Sequence, residues 1–121
     1  KDPRRAYGEL AIVMDRLIKS FRDLDKHIYM TCKTERVQTE QGLLWVPSLP
    51  GQKLGNSLPY LFDEVFQLCC AKDEESGAIK RWLQCHNDGT RLCKDRSGAL
   101  DMFEPPSLAH ILQKIMKKGE E

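Results

Sequence analysis

The sequence predicts a mixed α/β fold, and the order of apolar patterns along its 121 residues carries that prediction. A long helical pattern opens the chain and a short apolar run follows it. Two strand-like runs joined by a turn come next, and then a second helical pattern. Because a helix followed by a buried strand is half of a βαβ unit, the short run is expected to be a buried parallel strand. At this length the chain is expected to form one domain, residues 1–121.

The opening stretch, residues 2–25, fits a helix with Asp2 as its N-cap and Pro3 at its first helical position. Six apolar residues, here named the apolar stripe, recur along it at steps of three and four: Tyr7, Leu10, Met14, Leu17, Phe21 and Leu24. Ala11 and Ile18 widen the predicted buried face beside this stripe. This spacing predicts a long surface helix that buries the stripe.

The predicted parallel strand lies in residues 26–35. Four apolar residues form a nearly continuous run there: Ile28, Tyr29, Met30 and Cys32. Such a run is expected of a strand covered on both faces. The polar stretch 35–42 is expected to be a flexible loop, and "LLWV" at 43–46 either forms a short strand or simply packs. Residues 52–58 are expected to form one or two helical turns.

The second half of the chain predicts a hairpin and a helix. Residues 60–73 and 78–88 are strand-like, and the four-residue loop between them, which contains Gly77, suits an antiparallel connection. Residues 104–118 carry apolar residues at helical spacing and end in lysines, which the helix dipole favours at a C-terminus. This stretch therefore predicts a C-terminal helix.

The charge balance and hydropathy exclude several classes of protein. The chain has 19 Lys and Arg residues and 18 Asp and Glu residues. This balance argues against a protein whose whole surface binds nucleic acid, but it leaves room for a local basic patch. No apolar run approaches the roughly 18 residues of a membrane span, so no membrane partner is expected. The N-terminus lacks the apolar segment of a signal peptide, and a cytoplasmic location is expected.

The cysteines are expected to be reduced, buried thiols, because their number is odd and most lie in apolar runs. They are Cys32, Cys69, Cys70, Cys85 and Cys93. A zinc site is the competing interpretation, since four of these cysteines and His86 are potential ligands. No C-x2-C pair is present, so the sequence predicts no metal site. A Cys85–His86 dyad is also disfavoured, because neighbours on a strand point to opposite faces.

Two acidic residues, Asp63 and Glu64, interrupt the apolar run "LFDEVFQL". If one of them faces inward, its buried carboxylate requires a partner. Asp63 with Arg96 and Glu64 with Arg81 are the possible ion pairs. The alternative is a strand start at the rim of a sheet, where both acids are solvated.

The segment "CKDRSG" carries the other candidate site. Lys94 and Arg96 have alternate spacing, so both side chains leave the same face of an extended segment. Two cations on one face suit a phosphate, to which Arg offers a planar fork and Lys a point charge. The alternative is a solvated polar loop.

Four segments in this order resemble a known family: "PYLFDEVFQL", "RWLQCHNDG", "CKDRSGALD" and "EPPSLAHILQKI". They resemble the C-terminal half of phage RecA-like P-loop ATPases of the single-strand-annealing and recombination group, within the KaiC- and DnaB-like class. The resemblance covers residues 2–118 and implies a partial RecA-like core. In that class ATP and Mg²⁺ lie between neighbouring subunits of a ring or filament that acts on single-stranded DNA.

The resemblance implies roles for six residues. Lys94 and Arg96 fall on the pair that reaches a neighbouring subunit's γ-phosphate. The strand end at Thr31 and Lys33 falls where such ATPases sense that phosphate, although a Gln or Asn often stands there and is absent here. The loop 35–42 faces DNA, with Arg36 and Gln38 as the contacts. Phage recombination or single-strand-binding proteins are further expected partners.

The sequence departs from this family in one respect that limits its expected activity. It contains no G-x-x-x-x-G-K-[ST] phosphate-binding loop and no acidic strand before its first helix. The chain alone is therefore expected to bind no cofactor and to hydrolyse no ATP. Because it begins at Lys1 with a helix start, a fragment or processed product is expected. The alternative function is a non-catalytic interaction module that docks on a RecA-like partner or DNA.

Overall fold

A computed structural model describes residues 3–40, 42–49 and 52–120. The chain divides into two compact units, Lys1–Phe62 and Asp63–Glu121, here named the N-terminal and C-terminal units. Within the described residues the N-terminal unit contains α1 (Pro3–Arg22), β1 (Thr34–Thr39), β2 (Gly42–Pro47) and α2 (Gln52–Leu61). The C-terminal unit contains β3 (Glu64–Val65), β4 (Gln67–Lys72), β5 (Ile79–Gln84), β6 (Lys94–Asp95), β7 (Phe103–Glu104) and α3 (Leu108–Gly119). The predicted mixture of helices and strands is confirmed.

The long N-terminal helix is confirmed, but only part of its predicted buried face is buried. The helix begins at Pro3, and the predicted cap Asp2 lies outside the described residues. Its buried contacts come from Ile18, which packs with Leu58, and from half-buried Met14. The other five residues of the apolar stripe are exposed: Tyr7, Leu10, Leu17, Phe21 and Leu24. The reason is that this core covers α1 only along Met14 and Ile18.

The predicted buried parallel strand is wrong. Residues 27–33 have no regular secondary structure, and the side chains of Tyr29 and Met30 are exposed. A parallel strand needs a neighbouring strand for its backbone hydrogen bonds, and no described strand lies beside this run. All strand pairs among the described residues are antiparallel, so no RecA-like parallel core is observed there.

The predicted flexible loop at 35–42 is also wrong, because most of it belongs to a β-hairpin. Strands β1 and β2 pair antiparallel, with Arg36 opposite Trp45 and Gln38 opposite Leu43. Gly42 has a φ of 115°, a conformation that residues with a side chain rarely adopt. Pairing with "LLWV" satisfies backbone groups of this polar stretch that a loop would leave to water.

The C-terminal unit confirms the predicted hairpin and helix, but both begin later than predicted. Tyr60 and Leu61 end α2 instead of starting a strand, and Glu104 lies in β7 instead of the helix. Strands β4 and β5 pair antiparallel, Gly77 turns between them at a φ of 72°, and β7 adds to β5. Strands β3 and β6 form a separate two-stranded pair. Helix α3 begins after Ser107, whose hydroxyl accepts a hydrogen bond from the His110 N–H. The core of this unit consists of Leu83, Cys85, Leu100 and Ile111.

Among the described residues, no helix is long and apolar enough to cross a membrane.

Candidate functional site

The pairing of β3 with β6 positions the segment that carries Lys94 and Arg96. Asp95 lies opposite Glu64 and Lys94 lies opposite Val65. The pairing continues one step further, since the Arg96 N–H donates to the Asp63 carbonyl oxygen at 3.1 Å. The backbone of all three residues in "KDR" is therefore held against β3.

Asp95 organises the turn that follows. Its side chain has no exposed surface, and its carboxylate accepts hydrogen bonds from the Ser97 N–H and the Leu100 N–H, both at 3.0 Å, and from the Ser97 hydroxyl. Gly98 sits at the tip with a φ of 69°, and the Lys118 ammonium donates to its carbonyl oxygen at 2.8 Å. Burial alone would raise the pKa of Asp95, but these hydrogen bonds hold it below its ordinary value.

Arg96 is the exposed cation of the segment. Its guanidinium donates to the Asp63 carboxylate at 2.6 Å, and both side chains are open to water, at 73% and 70% exposure. Of the two ion pairs that the sequence left open, the one between Asp63 and Arg96 is observed. Lys94 is half-buried within β6.

Glu64 faces the buried carboxylate of Asp95. Burial and the nearby Asp95 carboxyl group raise the pKa of Glu64 to about 8. Its Oε1 accepts from the Ser97 N–H at 3.4 Å, while its buried Oε2 accepts no hydrogen bond. The alternative pairing with Arg81 does not occur, because Arg81 lies opposite Cys70 in the other sheet.

A buried glutamate, Glu104, joins β7 to α3. Its carboxylate accepts from the Asp101 N–H at 2.7 Å, from His110 Nε2 at 2.9 Å and from the Lys114 ammonium. Burial alone would raise its pKa, but these donors lower the pKa of Glu104 to about 2. Sequence reasoning missed this cluster. The available signal was the spacing of His110 and Lys114, which are four residues apart and share one face of a helix.

Two of the buried cysteines, Cys85 and Cys93, are unreactive thiols. Burial raises the pKa of both Cys85 and Cys93 to about 12, so both are neutral thiols at physiological pH. Cys32 and Cys70 are exposed, contrary to the expectation of burial. In the parts of the chain that the structure describes, no three His, Cys, Asp or Glu side chains lie close enough together to hold a metal ion.

The other candidate residues lie in the N-terminal unit. Thr31 and Lys33 are exposed in the irregular segment, so the strand end implied for them is not observed. Arg36 and Gln38 share one face of the β1–β2 hairpin, as their spacing requires. The Arg36 guanidinium lies over the ring of Trp45, 5.4 Å from its centre. Trp45 is a member of this face that sequence reasoning missed.

No protein-family model matches the chain, and neither the curated proteins nor the solved structures contain a detectable match to it.

Proposed function

We propose that this chain is part of a DNA-dependent ATPase of phage recombination or replication. In this proposal Arg96, assisted by Lys94, stabilises the phosphate charge of ATP bound by a neighbouring subunit, and the β1–β2 hairpin contacts single-stranded DNA. The observation that carries the proposal is the exposed guanidinium of Arg96 on a segment whose backbone pairs with β3 and whose Asp95 carboxylate binds the turn that follows.

The geometry around Arg96 suits a ligand that arrives from outside the unit. The buried Asp95 and the turn after it fix the backbone, so the guanidinium is presented from a constrained base. Its partner Asp63 is equally exposed, and an exposed ion pair of this kind contributes only about 0–1 kcal/mol. A phosphate group carries more negative charge than one carboxylate, so it is able to displace Asp63 from Arg96.

The residues present fit a role in trans and not a complete nucleotide site. Arg96 and Lys94 supply cations for phosphate oxygens, whereas the sequence contains no phosphate-binding loop. In the proposal, residues outside this sequence hold ATP and its Mg²⁺. What Arg96 contributes is stabilisation of the charge that develops on the transferred phosphoryl group, the role of an arginine finger.

The test uses the complete ATPase that contains this sequence. Arg96→Ala is expected to lower the rate of ATP turnover at least about 100-fold while nucleotide affinity stays nearly unchanged, because a finger acts on the transition state. Arg81→Ala is the matched control, since Arg81 is exposed on β5 and has no role in the proposal. Equal loss of turnover and affinity in the Arg96 variant contradicts a finger role.

A mixing experiment separates action in trans from action in cis. Subunits with Arg96→Ala are combined with subunits altered in the phosphate-binding loop. If Arg96 serves a neighbour, mixed assemblies regain part of the activity that each variant lacks alone. Absence of any recovery in verified mixed assemblies contradicts the proposal.

The hairpin supports the DNA part of the proposal. Arg36, Gln38 and Trp45 share one face, where a cation and an aromatic ring lie together. Single-stranded nucleic acid is bound by such combinations, since cations meet the backbone and rings stack on bases. The acidic side chain of Glu35 points to the opposite face, where Ser48 donates to it at 3.3 Å. Among the paired strand residues on the same face as Arg36, Arg36 is therefore the one charged side chain, and its charge is positive.

Fluorescence anisotropy with oligo(dT) tests this contact. Arg36→Ala is expected to weaken binding and to reduce the slope of log K against log salt by roughly one unit, because one phosphate contact is lost. Arg16→Ala is the matched control, since Arg16 is an exposed arginine on α1. An unchanged salt slope in the Arg36 variant contradicts phosphate contact at this position.

One observation favours the alternative, a non-catalytic module that docks on a RecA-like partner. The exposed residues of the apolar stripe present a helix face of the kind that partner proteins cover. In that case Leu17→Glu abolishes partner binding while Arg96→Ala leaves the partner's ATP turnover unchanged. Loss of turnover on Arg96→Ala with unchanged partner binding favours the ATPase proposal.

A further inference from the structure

The segment that presents Arg96 rests on two carboxyl groups. Glu64 and Asp95 lie opposite each other in the antiparallel pair of β3 and β6, and the Ser97 N–H donates to an oxygen of each, at 3.4 Å and 3.0 Å. Two ionised carboxylates held this close repel each other, so a proton on one of them is favoured. The location of that proton follows from the remaining hydrogen bonds of the two groups.

Asp95 has the environment of an ionised carboxylate. Both of its oxygens already accept hydrogen bonds, from the N–H and hydroxyl of Ser97 and from the N–H of Leu100. Each of these donors favours the charged form. A proton on Asp95 would have to displace one of them.

Glu64 has the environment of a protonated acid. Its Oε2 is buried and accepts from no donor, and a buried ionised oxygen in that state would be costly. The same oxygen needs no donor if it carries the hydrogen and donates to Asp95. Burial and the Asp95 charge raise the pKa of Glu64 to about 8, which also favours the protonated form.

We propose that Glu64 Oε2 carries a proton that it shares with the Asp95 carboxylate, and that this shared proton positions the segment Lys94–Arg96 on β3. Glu64 is thus a positioning residue that acts through Asp95. Its ionisation places two negative charges face to face and releases Asp95 from the turn at Ser97–Leu100. This inference does not depend on which ligand Arg96 meets.

Other charged and titratable groups surround the pair. Just before β3, Asp63 is engaged by Arg96 and adds negative charge near Glu64. His86 Nε2 lies 3.8 Å from Asp95 and 2.8 Å from the Leu100 carbonyl oxygen, which only accepts, so its N–H is directed to that carbonyl. Cys85 is a neutral thiol. Lys94, the remaining cation of β6, lies opposite Val65.

Carboxyl-detected NMR of the 121-residue chain between pH 3 and 10 tests the proposal directly. The Glu64 carboxyl carbon is expected to titrate with a pKa near 8, far above the usual glutamate value of about 4.3. The protection factors of the Ser97 and Leu100 amides are expected to fall over the same pH range. A Glu64 titration near pH 4.3 overturns the proposal.

Two substitutions separate the shared proton from simple packing. Glu64→Gln keeps a donor for Asp95 that cannot ionise, so protection of Ser97 and Leu100 is expected to persist through pH 10. Glu64→Leu fills the space without a donor, so protection is expected to be low at every pH. Full protection in the leucine variant at pH 6 overturns the proposal. Glu74→Gln, at an exposed acid in the turn between β4 and β5, is the control and is expected to keep the wild-type pH profile.

Discussion

Buried Glu104 and half-buried Glu64 differ in the charge of the groups that they contact. Glu104 meets the Lys114 ammonium and His110, and its pKa is lowered to about 2. Glu64 meets the Asp95 carboxylate, and its pKa is raised to about 8. Burial raises the pKa in both cases, so burial does not explain the difference. The sign of the partner decides whether a buried carboxyl group is held as a charge or as an acid.

Removing the charge of Glu104 is expected to have the largest effect. Glu104→Gln should lower the free energy of unfolding by about 3 kcal/mol at pH 7, because several charge-assisted hydrogen bonds are weakened at a side chain that is only 3% exposed. Urea unfolding measures the change. The exposed Glu74→Gln is the control and should change stability by less than about 0.5 kcal/mol. Similar losses in both variants would contradict the contrast between buried and exposed acids.

The stability contributed by Glu104 should depend on pH in the acid range. The pKa of Glu104 is lowered to about 2 in the folded chain, against about 4.3 in an unfolded one. Its contribution is therefore fully present above pH 4.3 and is lost as the pH falls toward 2. Glu104→Gln should flatten this part of the stability profile. An acid limb as steep in the variant as in the wild type would show that another group causes it.

Glu64 should show the opposite dependence. Its folded pKa of about 8 lies above the unfolded value, so its contribution is fully present below about pH 4.3 and is lost as the pH rises toward 8. Glu64→Gln should be more stable than the wild type at pH 9, by on the order of 1–2 kcal/mol because water still reaches this side chain. Equal stability at pH 5 and pH 9 in the wild type would contradict the raised pKa.

Gly98→Ala should have a smaller effect on the turn that both Asp95 and Lys118 hold. The φ of 69° strains any residue with a side chain, and an added Cβ would lie 3.0 Å from the Lys118 ammonium. A loss of about 1 kcal/mol is expected, measured by thermal unfolding. Gly119→Ala is the control, since an added Cβ there meets nothing within 4 Å. A neutral Gly98→Ala result would mean that the turn relaxes at no cost.

Asp63→Asn should have the smallest effect. This carboxylate is paired with a cation, as Glu104 is, but the pair is exposed at both ends. The expected loss of stability is below about 0.5 kcal/mol in denaturant unfolding. A loss of stability as large as that of Glu104→Gln would show that a cationic partner stabilises an exposed carboxylate as much as a buried one.

The sequence predicted elements whose signals are local. Pro3 marks the start of α1, Gly77 marks the turn of the β4–β5 hairpin, and terminal lysines mark the end of α3. It predicted the pair of Asp63 and Arg96 as one of two options. These features depend on capping, turn geometry and charge, which neighbouring residues largely determine.

The sequence did not predict elements that depend on distant partners. Residues 27–33 are apolar enough for a buried strand, but a strand also needs a neighbour with which to pair. Conversely, the polar run at Arg36 and Gln38 became a strand because Trp45 and Leu43 lie opposite it. The facing of Glu64 and Asp95 also depends on a register between residues about thirty positions apart. Periodicity carries no information on such pairings.

The two tryptophans of the chain are divided between the two units. Trp45 lies under Arg36 in the N-terminal unit, and Trp82 lies edge-on to Phe103 in the C-terminal unit. Each unit therefore has its own intrinsic fluorophore. Trp82→Phe leaves emission from the N-terminal unit alone, and Trp45→Phe leaves emission from the C-terminal unit alone. Denaturation curves followed in this way resolve whether the chain melts in one cooperative step or in two.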